Sequence, residues 1–234
     1  MKIAMWSGPR NLSTAMMYAF AARGDCAVMD EPFYAAWLAA TGVVHPMGDT
    51  VMAAHETDPM RVADACAAPP PEGADHVYMK HMPHHMHPDF PLDWAAGCVH
   101  VHLIRHPARV LASYSAKKAE VTDDEIGFAR QQAFFDRFPG PVIDSADIRR
   151  DPGAALGRLC AEIGLGFRAS MLSWPAGPKP YDGVWASHWY GAVHRSTGFA
   201  GAEGPLPQVD PALTPLLERA LPAYRALSAR AIRP

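Results

Sequence analysis

Short apolar runs alternate with helix-like segments along the first two thirds of the chain. Four of these runs predict buried strands: "KIAMW", "CAVM", "HVYMKHM" and "GCVHVHLI". The segments behind them have helical composition, as in "LSTAMMYAFAARG", "YAAWLAATG" and "HPARVLASYSAKK". Strands that alternate with helices predict an α/β protein with three α/β/α layers and a central parallel sheet.

The second half of the chain continues this pattern and then changes character. An amphipathic helix is predicted from Asp123 to Phe138, followed by the short strand of "GPVIDSADI" and a helix with Asp151 as its cap and Pro152 at its first position. Loops dominate from 174 to 207, and a closing helix runs from about 213 to 230, interrupted by Pro222. We expect a single domain over 1–234, with its core in 1–170 and a loop-rich cap and C-terminal helix in 171–234.

Composition narrows the classes of protein that the chain can represent. Its 234 residues carry a formal net charge of −3, which argues against a general nucleic-acid binder and requires any anion site to be a local cluster. The 4 cysteines form no CxxC pair, so neither a zinc site nor a disulfide framework is predicted. No leader pattern and no apolar stretch of about 18 residues is present, so we expect a cytoplasmic protein without a membrane span.

Polar residues follow each of the four predicted strands. Ligands of open parallel sheets bind at the carboxyl ends of the strands, so these residues predict one shared site. They are Ser7 to Thr14, Asp30 with Glu31, Lys80 with His81, and Arg105 with His106.

The first of these strand ends, "SGPRNLST", has the layout of a phosphate-binding loop without its lysine. In the pattern G-x-x-x-x-G-K-[ST], Ser13 takes the place of the lysine and Leu12 that of the second glycine. Hydroxyl groups, a helix N-terminus and the guanidinium of Arg10 still suit a tetrahedral anion. The alternative is an ordinary strand-to-helix turn in which Ser13 is the N-cap.

This loop resembles the 5′-phosphosulfate loop of the P-loop sulfotransferases, whose pattern is roughly P-[KR]-S-G-[ST]-T. The matching residues are Pro9, Arg10, Ser13 and Thr14, and the departures are Asn11 and Leu12.

Two further segments carry the same resemblance. "LIRHPARVLASY" is similar to the family's 3′-phosphate motif, in which Arg105 and Ser113 stand eight residues apart and His106 replaces an Asp or Asn. That spacing allows a guanidinium and a hydroxyl to meet one phosphate, although Arg105 can also be a structural ion-pair partner. "VIDSADIRRDPGAALGRLCAEIGLGF" looks like a helical segment of the family with an architectural role.

The resemblance implies a P-loop nucleotide-hydrolase-like fold and 3′-phosphoadenylyl sulfate as donor, with adenosine 3′,5′-bisphosphate as product and no metal. In the tail, where the family covers the nucleotide with a basic loop, Arg195 is the candidate contact. The implied donor-binding residues are Gly8, Pro9, Arg10, Asn11, Leu12, Ser13, Thr14, Arg105, Ser113 and Arg195.

The general base is expected behind the third strand. The family has "K-T-H-L-P" there, and "MKHMP" places His81 at the histidine and Lys80 at the threonine, while His84 and His85 compete for the role. The expected catalytic residues are His81, Arg10, Lys80 and His84. The histidines between 76 and 87 also invite a metal site, but Pro83 and Pro88 leave little room for a helix to align them, so we expect none.

The sequence therefore predicts a sulfotransferase that moves a sulfuryl group to a hydroxyl or amine of a small molecule. Asp30, Glu31 and Phe33 are the expected acceptor contacts. A nucleotide-dependent phosphotransferase and a non-catalytic nucleotide- or anion-binding module are the alternatives. The acceptor and the oligomeric state stay open, a homodimer included.

Overall fold

Five parallel strands form one sheet at the centre of the computed structural model, which describes residues 1–115 and 121–234. The strands lie in the order β2-β3-β1-β4-β5. The α/β class predicted from the sequence is confirmed. The strands are β1 Lys2–Ser7, β2 Cys26–Asp30, β3 His76–His81, β4 Val99–Ile104 and β5 Val142–Asp144.

Helices occupy most of the segments between and after the strands. They are α1 Ser13–Ala21, α2 Tyr34–Thr41, α3 Gly48–Ala54, α4 Pro59–Ala67, α5 Pro107–Ser115, α6 Asp123–Ile126, α7 Phe128–Arg137, α8 Ser145–Arg150, α9 Pro152–Glu162, α10 Ala186–Trp189, α11 Gly191–His194 and α12 Thr214–Ser228. Short 3₁₀ helices lie at Pro83–His85, Asp93–Gly97, Ala169–Leu172 and Pro211–Leu213.

Some helix boundaries differ from the sequence prediction. The helix expected over 123–138 is divided at Gly127, whose φ of 69° ends α6 in the left-handed region that glycine adopts readily. The break expected at Pro222 does not occur, because α12 continues through it. The helix predicted for "HPARVLASYSAKK" is observed to Ser115, and its last residues lie outside the described ranges.

The two faces of the sheet bury different side chains, because successive residues of a strand point to opposite faces. In β1, Ile3 and Met5 join the cluster formed with α1 and α9, whereas Ala4 and Trp6 join the cluster formed with α4. The sheet is thus the middle layer between helices on both faces.

The register of the strands brings their polar carboxyl ends together. Asp30 in β2 pairs with Lys80 in β3, and Ser7 in β1 lies beside Leu103 in β4. Arg105 follows one residue after the end of β4. The prediction that these strand ends meet at one edge of the sheet is therefore confirmed.

The C-terminal segment is anchored to the edge strand of the sheet. The Tyr224 hydroxyl donates to the Asp144 carboxylate at 2.8 Å, and the Ile232 N–H donates to the Val142 carbonyl at 2.8 Å. α12 also packs against α5 and α7. No helix in the two described ranges combines the length and the hydrophobicity that crossing a membrane requires.

Buried histidines make the stability of this fold dependent on pH. Burial lowers the pKa of His81 to about 3 and that of His102 to about 4. The unfolded chain therefore binds protons below about pH 6.5 that the folded chain does not bind. Each such histidine removes stability as the pH falls from 6.5 towards its folded pKa, by up to about 1.4 kcal/mol per pH unit.

We expect His81→Phe to reduce this acid sensitivity. Phenylalanine retains the stacking of the ring on Trp6 and Trp94 and removes a ring Nε2 that has no hydrogen-bond partner. Urea unfolding at pH 7.5, 6.5, 5.5 and 4.5 would measure how the free energy of unfolding changes with pH. The matched control is His87→Gln, because His87 is partly exposed. If the free energy of unfolding depends on pH equally strongly in His81→Phe and in wild type, buried His81 is not a source of the acid sensitivity.

Candidate active site

A cavity of about 380 Å³ opens at the carboxyl edge of the sheet. Its walls come from the loop behind β1, the ends of β2, β3 and β4, and the cap segment, which we define as residues 171–207. The residues that line it include Arg10, Leu12, Ser13, Thr14, Glu31, Tyr34, His45, Lys80, His84, His85, Arg105, Tyr114, Arg149, Trp189, Tyr190, Val193 and Phe199.

The loop behind β1 has a strained backbone at two positions. Arg10 and Leu12 have φ angles of 63° and 76°, in the left-handed region that residues with a Cβ rarely adopt. Such residues carry about 1–3 kcal/mol of strain each and occur where a site requires the conformation. Leu12 stands where the family pattern has a glycine, and its φ lies in the region that glycine adopts most readily.

Helix α1 begins at this loop without a side-chain cap. Leu12 is the N-cap residue, and no side chain accepts a hydrogen bond from the first turn. The alternative in which Ser13 caps an ordinary turn is therefore wrong, because Ser13 is the first helical residue. The hydroxyl-bearing residues Ser13 and Thr14 line the cavity beside the helix N-terminus, as an anion site requires.

The two motif arginines meet in this cavity. Arg105 Nη1 donates to the Arg10 carbonyl at 2.7 Å, and Arg10 Nε donates to the Ser113 hydroxyl at 2.9 Å. Burial and the neighbouring Arg105 lower the pKa of Arg10. Ser113 is thus held by Arg10, whereas the guanidinium of Arg105 extends to a different partner.

That partner is Glu203 of the cap segment, which lies among three guanidinium groups. Arg105 is ion-paired with it, Arg109 Nε lies 2.8 Å from Oε2, and Arg149 Nη1 lies 3.2 Å from Oε1. The side chain of Glu203 is only 4% exposed. Arg149 lies in the third segment that carries the resemblance but had no predicted site role, and Glu203 lies outside all three segments.

A buried network of charged groups forms the floor of the cavity. Lys80 Nζ donates to Asp30 Oδ1 at 2.9 Å, to Glu31 Oε1 at 2.7 Å and to the Tyr190 hydroxyl. Burial raises the pKa of Glu31. Burial opposes the charge of Lys80 as well, but the two carboxylates raise its pKa, so the ammonium stays charged. Glu31 also has a φ of 45°, a third strained position at this edge.

The structure corrects the expected location of His81. Along β3, Lys80 shares a face with Tyr78 and points to the cavity, so the next residue points to the opposite face. The His81 ring stacks on Trp6 and Trp94, each at a centroid distance of 4.8 Å, and does not line the cavity.

Two other histidines take its place at the cavity wall. Pro83–His85 forms a short 3₁₀ helix that turns back towards the cavity, so His84 and His85 both line it. The His85 ring stacks on Tyr34 at 4.4 Å, and its Nδ1 lies 3.7 Å from Glu31 Oε2. Burial lowers the pKa of His84 to about 3 and that of His85 well below its ordinary value.

Several predicted site residues support the site without lining the cavity. The Asn11 amide donates to the Leu103 carbonyl at 3.2 Å and anchors the strained loop to β4. Gly8 packs against Ile126, whose carbonyl would lie 3.0 Å from an added Cβ. Pro9 does line the cavity, whereas Gly8 and Asn11 hold the loop from behind.

Three further predictions are displaced from the cavity. Phe33 stacks on Trp94 at 5.8 Å on the opposite face of the sheet, so it is not an acceptor contact. Arg195 is exposed and outside the cavity lining, and Asp30 contributes only through the floor network. Tyr34 also lines the cavity and is not among the site residues predicted from the sequence.

The histidine-rich segment does not assemble a metal centre. Within 1–115 and 121–234, no group of three or more His, Cys, Asp or Glu side chains is arranged to hold a metal ion.

The sequence model of the Sulfotransferase domain family matches residues 1–231, so the chain belongs to this family. Two solved structures share its fold: the sulfotransferase domain of the Synechococcus PCC 7002 olefin synthase and that of the curacin biosynthetic pathway. Both have a TM-score of 0.51, at 16% and 14% identity. The alignments cover 94% of the chain and 94% of the first domain, and 99% of the chain and 98% of the second.

Two curated relatives come from Arabidopsis thaliana. They are named branched-chain-amino-acid aminotransferase-like proteins 2 and 1, and each is 37% identical over 231 and 235 residues respectively. Each alignment covers 96% of the chain and 41% of the relative, so the chain spans about two fifths of the length of these proteins.

The floor network predicts a large effect of removing its cation. Lys80→Met leaves Asp30 and Glu31 as buried carboxylates without an ammonium group, which should lower the free energy of unfolding by about 3–5 kcal/mol. The same substitution in a Glu31→Gln background should cost at least about 1 kcal/mol less, because one of the two carboxylates is gone.

Urea unfolding of the two single variants and the double variant would measure this coupling. Arg158→Met is the control, because its ion pair with Glu162 lies on the surface and should contribute less than about 1 kcal/mol. If the effects of the Lys80 and Glu31 substitutions on the free energy of unfolding are additive, the two side chains do not stabilise each other as proposed.

Proposed function

We propose that the protein transfers a sulfuryl group from 3′-phosphoadenylyl sulfate to a hydroxyl or amine of a small-molecule acceptor. The observation that carries this proposal is the meeting of two motif arginines, 95 residues apart, in one cavity at the N-terminus of α1. Membership of the sulfotransferase family supports it.

The loop behind β1 is the proposed site of the donor's 5′-phosphosulfate. The N–H groups at the start of α1, with Ser13 and Thr14, would bind the phosphate oxygens. During transfer the acceptor oxygen or nitrogen bonds to sulfur, and the bond between sulfur and the bridging oxygen breaks. Arg10 would stabilise the negative charge that develops on the leaving phosphate oxygen.

His85 is the proposed general base, with His84 as the second candidate. Burial lowers its pKa and leaves the imidazole unprotonated around pH 7, as a general base must be, while the same burial makes the ring a weaker base. The Glu31 carboxylate, 3.7 Å from Nδ1, would stabilise the imidazolium that forms. The acceptor itself would pack against the aromatic wall of Tyr34, Tyr114 and Trp189.

The floor network argues against an aminotransferase reaction, which the names of the two plant relatives suggest. Schiff-base chemistry requires an unprotonated lysine amine. Lys80 is the lysine that lines this cavity, and its two carboxylate partners raise its pKa and keep it charged.

Donor recognition predicts a preference for nucleotides with a 3′-phosphate. Adenosine 3′,5′-bisphosphate should bind at least about tenfold more tightly than adenosine 5′-phosphate, since a charge-assisted contact contributes about 1.5–3 kcal/mol. Arg105→Ala should weaken the bisphosphate by about 10- to 100-fold and leave the monophosphate almost unchanged. Calorimetry with wild type, Arg105→Ala and the exposed control Arg61→Ala would measure these affinities. Equal affinity for the bisphosphate, the monophosphate and ADP would refute the predicted preference for a 3′-phosphate.

The assignment of the base predicts a contrast between two buried histidines. With 3′-phosphoadenylyl sulfate and a panel of hydroxyl and amine acceptors, His85→Gln should reduce kcat by about 10²- to 10⁴-fold. His81→Phe should remain within a few-fold of wild type, because its ring lies on the other face of the sheet. Bisphosphate affinity should be unchanged in both, and a larger loss in His81→Phe would overturn the assignment.

A further inference from the structure

Glu203 and its three arginines form an anion site whose present occupant is a carboxylate of the chain itself. We propose that this arginine triad, Arg105, Arg109 and Arg149, binds the donor's 3′-phosphate and that Glu203 competes with it for the same guanidinium groups. The inference rests on the proposed function and deepens it, because it identifies two further specificity-determining residues, Arg109 and Arg149.

The charge balance of the triad favours a phosphate monoester over the carboxylate. Three guanidinium groups from different elements face Glu203: Arg105 behind β4, Arg109 in α5 and Arg149 in α8. One carboxylate neutralises one of these three charges. A phosphate monoester carries close to two negative charges and three acceptor oxygens, so it matches the triad better.

The triad is continuous with the donor cavity. Arg105 and Arg149 both line that cavity, and Arg105 donates at 2.7 Å to the carbonyl of Arg10 in the strained loop. A ligand that contacts Arg10 with one phosphate therefore has a second arginine cluster beside it. Ser113 is held by Arg10 and lies outside the contacts that surround Glu203.

The guanidinium groups that a phosphate would engage also hold the backbone of the segment that carries Glu203. Arg149 Nε donates to the Gly201 carbonyl at 2.8 Å, and Arg109 donates to the Gly204 carbonyl. Residues 199–209 form neither helix nor strand. A Cβ added to Gly201 or Gly204 would meet no atom within 4 Å, so the flanking backbone has space to move.

Competition with Glu203 limits the affinity that the 3′-phosphate adds, because displacing the carboxylate offsets part of the gain. A nucleotide without it gains no contact that offsets the loss of three Glu203 ion pairs, so it binds with Glu203 in place. A nucleotide with it displaces Glu203 and acquires the whole triad.

Calorimetry on Glu203→Gln separates competition from a purely structural role. Adenosine 3′,5′-bisphosphate should bind about tenfold more tightly to the variant than to wild type, whereas adenosine 5′-phosphate should change less than twofold. Arg149→Ala should weaken the bisphosphate by about 10- to 100-fold and spare the monophosphate. Glu162→Gln, in a surface ion pair with Arg158, is the matched control.

An unchanged or weakened bisphosphate affinity in Glu203→Gln would overturn the proposal. Thermal unfolding supplies a second readout that does not depend on the nucleotide. Glu203→Gln should melt below wild type, and inorganic phosphate should raise its melting temperature more than that of wild type, with Glu203→Asp intermediate. Loss of bisphosphate binding in every protein would reject the proposed function, while an equal phosphate response in variant and wild type would reject the triad.

Discussion

The floor of the cavity depends on three charged side chains that are removed from water together. Lys80 stays charged only because Asp30 and Glu31 lie within 2.9 Å and 2.7 Å of its ammonium group. Asp30 also accepts from the Tyr190 hydroxyl and from the Gly183 N–H of the cap segment. Because a buried charge requires a partner, this network joins the ends of β2 and β3 to the cap segment and thereby fixes the shape of the cavity.

The end of the cavity lined by Arg10 and Arg105 differs from this floor, because its positive charges lie close together. Guanidinium groups are crowded there, burial lowers the pKa of Arg10, and the backbone is strained at Arg10 and Leu12. A site that holds positive charge and strain in advance needs little rearrangement when it binds an anion. One edge of the sheet therefore combines a charge-paired floor with an arginine-rich end suited to an anion.

The sequence predicted the sheet, most helices and the meeting of Arg10 with Arg105, because apolar periodicity and strand-end polarity are local signals. It misplaced His81, since a single-residue step along β3 decides which face a side chain occupies, and a motif does not reveal that step. Glu203 was not predictable, because its partners lie 54 to 98 residues away and no pattern marks it. From the sequence, His85 was one of several candidate bases, because the pattern does not show that the turn at Pro83 brings its ring to the cavity.

Tyr190 belongs to two parts of the molecule at once, and this restricts how the protein can evolve. Tyr190 lines the cavity, while its hydroxyl takes part in the buried floor. A lineage that altered Tyr190 to accommodate a new ligand would also lose part of its folding stability. Changes of ligand range are therefore easier to accumulate at Ala192, Val193, Phe199 and Ala200, whose apolar side chains line the same cavity without sharing in its charges.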